Sequence, residues 1–180
     1  MNMLVARNTV VTLDYHVTDP DGEVVDEGRE PLVYLHGGYD DIFPKIEEEL
    51  QGKNHIVLFF YPKDGTPCCT KEVTDFSDHE GDFNKQDCVL FGISRDDCMK
   101  HAEFRDKEGI GLELLSDAEG AVCKQYGVWQ AREVDGHRKF GIARSTFIID
   151  KSGVIRHALY NVNYKGHALD VLRLVKELNS

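Results

Sequence analysis

Two adjacent cysteines close the stretch "PKDGTPCCT" (62–70), in a chain that has five cysteines in all. A thiol does nucleophilic or redox chemistry when its surroundings favour the thiolate, and the first turn of a helix does so through free N–H groups and the helix dipole. Cys69 stands at such a place. A strand over 55–62 is followed by a turn over 63–68, and a helix is expected from about residue 70. Pro62 and Pro67 restrict that turn and help to exclude water, and Thr66 carries a hydroxyl three residues before the sulfur. A cation would complete the site. The strongest candidate is Arg144, which opens "RSTFIID".

The elements that must position these residues are legible as hydrophobic patterns. "HIVLFFYP" (55–62) and "CVLFGIS" (88–94) are near-continuous apolar runs, as in strands buried on both faces. A helix after Cys69 would carry Val73, Phe76 and then Phe83 inward, and "DDCMKHAEFRDKEG" (96–109) reads as a helix capped by Asp96 or Asp97 and stopped at Gly109. "LELLSD" (112–117) and the helical "AEGAVCKQYG" extend the alternation. "RSTFIID" (144–150) and "GVIRHALY" (153–160) suggest a hairpin around "KSG". The last helix, 167–178, repeats Leu169, Leu172, Val175 and Leu178. Strand–helix alternation ending in a hairpin and a helix predicts an α/β sandwich with a mixed sheet.

Pro62-x-x-x-Thr66-x-x-Cys69 matches the peroxiredoxin signature P-x-x-x-T/S-x-x-C. "FFYPKDGTPCCTKE", "GISRDD", "LLSD", "YGVW" and "RSTFIID" follow in the order of the bacterioferritin comigratory protein, or peroxiredoxin Q, subfamily, which the chain resembles over about residues 54–180. The resemblance implies a thioredoxin-like fold and a thiol peroxidase for hydrogen peroxide and organic hydroperoxides. It assigns the peroxidatic role to Cys69, with Thr66, Pro62 and Arg144 as supports. Glu72 matches the subfamily's "CTxE" and reads equally as a member of a polar network near the site or as a favourable residue near a helix start. Cys68, a pocket neighbour, stands where the family usually has glycine or another small residue. No metal or organic cofactor is implied. The expected partners are the peroxide and thioredoxin or a similar dithiol reductant, with the chain a monomer or homodimer. In many relatives a second cysteine lies five residues after the first, where this chain has Thr74, and in others it lies on the next helix, at the position of Arg105. Cys98 stands seven residues before Arg105, two turns along the same face and ~10 Å away, and is the leading candidate for resolving the sulfenic acid. Cys88 and Cys123 read as core packing.

Residues 8–53 resemble the front half of an FKBP-type prolyl isomerase of the SlyD-like group, through "VVTLDYHVTDPDGEVVDEG" and "PLVYLHGGYDDIFPKIEEELQGK". Tyr15, Asp26, Ile42 and Phe43 match positions lining that family's proline pocket, and the strands and flap that would close it are absent. Strands over 8–19, in "VVDEG" and in 31–38, and a helix over 41–51, are expected there. Residues 1–53 are therefore read as a partial FKBP-like segment packed on a peroxiredoxin domain of residues 54–180. The competing function is an FKBP-like peptide-binding or chaperone module with a redox-inert body.

Charge agrees with a small-molecule enzyme. The net charge of −11 argues against nucleic acid or anionic membrane as a partner. Residues 1–52 hold twelve Asp/Glu against three Lys/Arg, whereas the remainder is nearly balanced. No stretch approaches the ~20 apolar residues of a membrane span, and the start of the chain lacks secretory-signal features, so a cytoplasmic location is expected. The cysteines form no C-x-x-C pair, so a zinc ribbon or thioredoxin-type dithiol is not expected.

Overall fold

The computed structural model describes residues 9–13, 17–18, 24–26, 32–36, 54–134 and 136–179. The central sheet has five strands, in the order β11 (Ile155–Leu159), β10 (Ser145–Ile149), β5 (His55–Phe60), β6 (Cys88–Ser94) and β7 (Glu113–Ser116). Its middle strand, β5, runs parallel to β6, which runs parallel to β7. On the other side β10 is antiparallel to β5, and β11 closes the predicted hairpin. The sheet is mixed, as the pattern predicts.

The unbroken apolar run of β5 is explained by what covers it. Val57, Phe59 and Tyr61 join one core with Cys69, Val73 and Phe76 of helix α1 (Pro67–Asp78). Phe83 of α2 (Glu80–Asn84), Phe104 of α3 (Cys98–Glu108) and Val171 and Val175 of α5 (His167–Leu178) complete that layer. Ile56, Leu58 and Phe60 face the other core, with Val122 and Cys123 of the short helix α4 (Ala121–Gln125). Ile142, at the end of a two-stranded ribbon of β8 (Trp129–Val134) and β9 (His137–Ile142), joins them. Burial on both faces leaves no position in the strand for polar alternation.

Gly92, inside β6, sits where two core side chains meet. A Cβ there would lie 2.7 Å from Leu114 Cδ2 and 2.8 Å from Phe59 Cζ. Gly92→Ala should therefore cost about 1–3 kcal/mol through overpacking, read as a lower urea midpoint at unchanged slope.

The structure amends several expectations. Helix α1 begins at Pro67, not near residue 70: proline at the first helical position has no N–H to leave unbonded and a φ already suited to the helix. The helix ends at His79, so Phe83 reaches the core from α2 rather than from a continuation of α1. In α5 the inward face is Ala168, Val171, Leu172 and Val175, and Leu169 is 54% exposed. The caps of α3 agree with expectation: Asp97 accepts from the Lys100 N–H, and Gly109 takes the left-handed φ of +68° that ends the helix. The β8–β9 ribbon is not anticipated by the helix–strand alternation.

Among the described residues four short strands precede the sheet. β1 (Thr9–Leu13) pairs with β4 (Leu32–His36), and β2 (Val17–Thr18) with β3 (Val24–Asp26), both antiparallel. The expected strand over 8–19 is thus two strands. The proposed helix over 41–51, with Tyr15, Ile42 and Phe43, lies outside the described residues. No helix among the described residues is long and apolar enough to cross a membrane.

Candidate active site

Helix α1 presents Cys69 as its third residue, 1% exposed and packed in the core. At this depth in a helix the N–H groups of the first turn have no intrahelical acceptor, so Cys68 and Cys69 contribute the positive end of α1 to the site. Arg144 arrives from the far side, one residue before β10, and its Nη2 donates to Cys69 Sγ at 3.3 Å. Its Nη1 donates to Glu72 Oε2, which projects from the next turn of α1. One guanidinium thus bridges the sulfur and a carboxylate, using the planar fork that a lysine lacks.

Burial sets the electrostatics of this group. The Glu72 side chain is 1% exposed and that of Arg144 11%. Desolvation pushes the Glu72 carboxyl up to about 7, against the pull of Arg144 in the opposite direction. For Arg144, desolvation lowers the pKa, yet the Glu72 carboxylate and the Cys69 sulfur outweigh it and the net shift is upward. Tyr164 adds its ring 5.9 Å from the guanidinium carbon, and the Val162 N–H donates to the Arg144 carbonyl at 3.0 Å. The segment before α5 therefore steadies Arg144, a contribution that spacing in the sequence does not reveal.

Pro62 and Thr66 lie on the loop between β5 and α1. Thr66 is the N-cap residue, and its carbonyl accepts from the Thr70 N–H at 2.8 Å. Its hydroxyl donates to the Lys63 carbonyl at 3.2 Å, a bond within the loop rather than one to the sulfur. Cys68 is exposed beside Cys69, and Cys98 is exposed at the first position of α3. All five cysteines are free thiols. Cys88 and Cys123 are buried in the two cores, and burial pushes the Cys88 thiol up to about 12 and raises that of Cys123. Both pack in the core, as the sequence suggests.

These features are those of a thiol redox site, and the comparisons agree. The model of the AhpC/TSA family matches residues 42–158. The chain belongs to this peroxiredoxin family. It is 41% identical to a putative peroxiredoxin of Coxiella burnetii, over 69% of this chain and 82% of that protein. Among solved structures, the bacterioferritin comigratory protein of Xanthomonas campestris, studied for alkyl peroxide reduction, is similar with 34% identity and a TM-score of 0.68. That match covers 71% of this chain and 82% of the other. The peroxidoxin BcpB of Mycobacterium tuberculosis is 28% identical with a TM-score of 0.65, and covers 97% of this chain and 100% of its own. That likeness extends into the first 53 residues of the peroxiredoxin, where the family match also begins. The FKBP resemblance of residues 8–53 finds no support in these matches.

The Glu72 carboxyl gives this peroxiredoxin a distinctive dependence of stability on pH. The unfolded chain releases the Glu72 proton near pH 4.5 and the folded chain near pH 7. Between these values the folded state holds more protons, so this group makes stability fall as pH rises. His167, buried and held neutral down to about pH 4, has the opposite slope between about 4 and 6.5. Subtracting a Glu72→Gln variant isolates the Glu72 contribution. The thermal midpoint of the variant relative to wild type should rise from pH 5 to pH 8, and a difference independent of pH would contradict the assignment.

Proposed function

We propose that this peroxiredoxin reduces hydrogen peroxide and organic hydroperoxides through Cys69. The observation that carries the reading is the Arg144 Nη2 donor 3.3 Å from a buried sulfur at the first turn of a helix. Cys69 attacks as the thiolate. Its sulfur takes one peroxide oxygen, the O–O bond breaks, and the departing oxygen leaves with the electron pair and is protonated to water or an alcohol. Sulfur is oxidised by two electrons to the sulfenic acid. Negative charge grows on the departing oxygen during this step, where the Arg144 guanidinium and the N–H groups of α1 offset it. Thr66 and Pro62 shape the entrance. Next to Pro62 a cleft of about 350 Å³ is walled by Trp129, Phe140 and Ile142, with Arg95 at its side. Its apolar walls suit the hydrocarbon part of an organic hydroperoxide.

The cycle closes with thiols. Cys98 attacks the Cys69 sulfenic acid, water leaves, and a Cys69–Cys98 disulfide forms; thioredoxin or a similar dithiol then reduces it and is itself oxidised to a disulfide. Cys69 is buried and Cys98 exposed, so Cys69 has to leave its buried position for the bond to form. A thiol-reducing cytoplasm suits this chemistry. The deciding experiment adds one equivalent of hydrogen peroxide to the reduced chain and maps disulfides by mass. A Cys69–Cys98 link is expected. A persistent sulfenic acid on Cys69 would reject Cys98 as the resolving thiol and leave direct reduction by an external thiol.

A further inference from the structure

The catalytic loop ends against a buried polar cluster that the peroxide step does not use. Tyr61, the last buried residue before the loop, donates its hydroxyl to Asp64 Oδ1 at 2.7 Å. The other carboxylate oxygen, Asp64 Oδ2, lies 2.7 Å from His101 Nδ1. The Asp64 N–H donates to Asp96 Oδ2 at 2.8 Å, and the Ser94 hydroxyl donates to the same oxygen at 2.9 Å. Two carboxylates and an imidazole are thus withdrawn from water, with the His101 side chain 4% exposed and that of Asp64 8%. His101 Nε2 is buried without a hydrogen-bond partner among the described residues. Such a group weakens the fold unless it serves something else, since an orphaned buried polar atom costs about 1–3 kcal/mol.

What the cluster joins is specific. Asp64 belongs to the loop that carries Pro62 and Thr66 and delivers Cys69, whereas His101 belongs to α3, in the turn that begins at Cys98. We infer that the Asp64–His101 pair is a clasp that fixes the catalytic loop against α3, with His101 a positioning residue acting through Asp64. The Asp64 carboxylate accepts from Tyr61 on one oxygen and from His101 on the other, so it is held from both the strand side and the helix side. The loop can then keep the pocket closed over Cys69 at atomic accuracy. The segment bearing Cys98 is held to the same loop. Releasing the clasp loosens the pocket without touching the sulfur, Arg144 or Glu72.

The inference rests on the peroxidase reading for its kinetic consequence, and a second readout is independent of it. His101→Leu removes the bond, while His101→Asn places an amide N–H where Nδ1 stands. In His101→Leu the rate constant for Cys69 oxidation by hydrogen peroxide should fall about tenfold, within the range that sub-ångström misplacement of reacting groups produces. The rate of alkylation of Cys69 by iodoacetamide, followed at that cysteine by peptide mass, should rise about tenfold as the pocket opens. His101→Asn should stay within about threefold of wild type in both. Asp64→Leu, which removes the acceptor for His101 altogether, should resemble His101→Leu and serves where that variant does not fold. Wild-type rates in His101→Leu and Asp64→Leu, or equal impairment in His101→Asn, would overturn the clasp. A wild-type chain that fails to react with peroxide would overturn the peroxidase reading alone, because the alkylation comparison would still report on the clasp.

Discussion

Cys69→Ser should abolish peroxide reduction, a loss of about 10³-fold or more in kcat/KM measured with a dithiol reductant in excess. A serine hydroxyl is not ionised in this pocket at neutral pH and cannot accept an oxygen atom from peroxide, so no other group supplies the lost step. The fold should survive, because serine nearly matches cysteine in size and Arg144 can still donate to it. Cys98→Ser should behave differently. The first oxidation proceeds at its normal rate, and the sulfenic acid accumulates instead of a disulfide. Undiminished turnover in Cys69→Ser would end the assignment of the nucleophile.

Arg144→Met should give the second largest loss, about 10²–10³-fold in kcat/KM for hydrogen peroxide. This is the range for removing one donor that stabilises developing charge in a site closed to water. The substitution also strands Glu72, whose carboxyl is already pushed up to about 7 and would rise further without its cation. Arg144→Lys should recover only part of the activity. A single ammonium cannot reach the Cys69 sulfur and the Glu72 carboxylate in the parallel geometry that Nη2 and Nη1 achieve. Because Glu72 and Arg144 act as a pair, adding Glu72→Gln to Arg144→Met should cost less than the sum of the single changes. Strict additivity would show that Glu72 does not orient the guanidinium.

Much of this site was legible in the sequence, and the reason is local. Cys69, Thr66 and Pro62 lie within one strand–loop–helix unit, where spacing dictates geometry, so the position of the thiol follows from the pattern. Arg144 is 75 residues away from Cys69 in sequence, and only its place at the start of a strand, with the family's motifs around it, pointed to the sulfur. Glu72 could be read equally as a network member or as a favourable residue near a helix start; its bond to Arg144 decides for the network. The Tyr61–Asp64–His101 cluster was not legible. Its members join a loop to a helix 37 residues on, and nothing in the local pattern distinguishes a clasp histidine from a solvated one. The β8–β9 ribbon was missed although Asp135-Gly136 is a hairpin signal, because its strands are polar and lack the apolar alternation by which strands are recognised. The repeat of Leu169, Leu172, Val175 and Leu178 does not mark one buried face, because residues at a spacing of three drift around a helix of 3.6 residues per turn.

The measurement that bears most directly on the central claim is the location of the first oxidised sulfur. The reduced chain would be treated with one equivalent of hydrogen peroxide in the presence of dimedone, a nucleophile selective for sulfenic acids, and every cysteine peptide read by mass. Cys69 is expected to carry the dimedone adduct or to be found in a disulfide, with Cys88 and Cys123 recovered as thiols. Recovery of Cys69 as an intact thiol while Cys68 or Cys98 carries the oxidation would contradict the account.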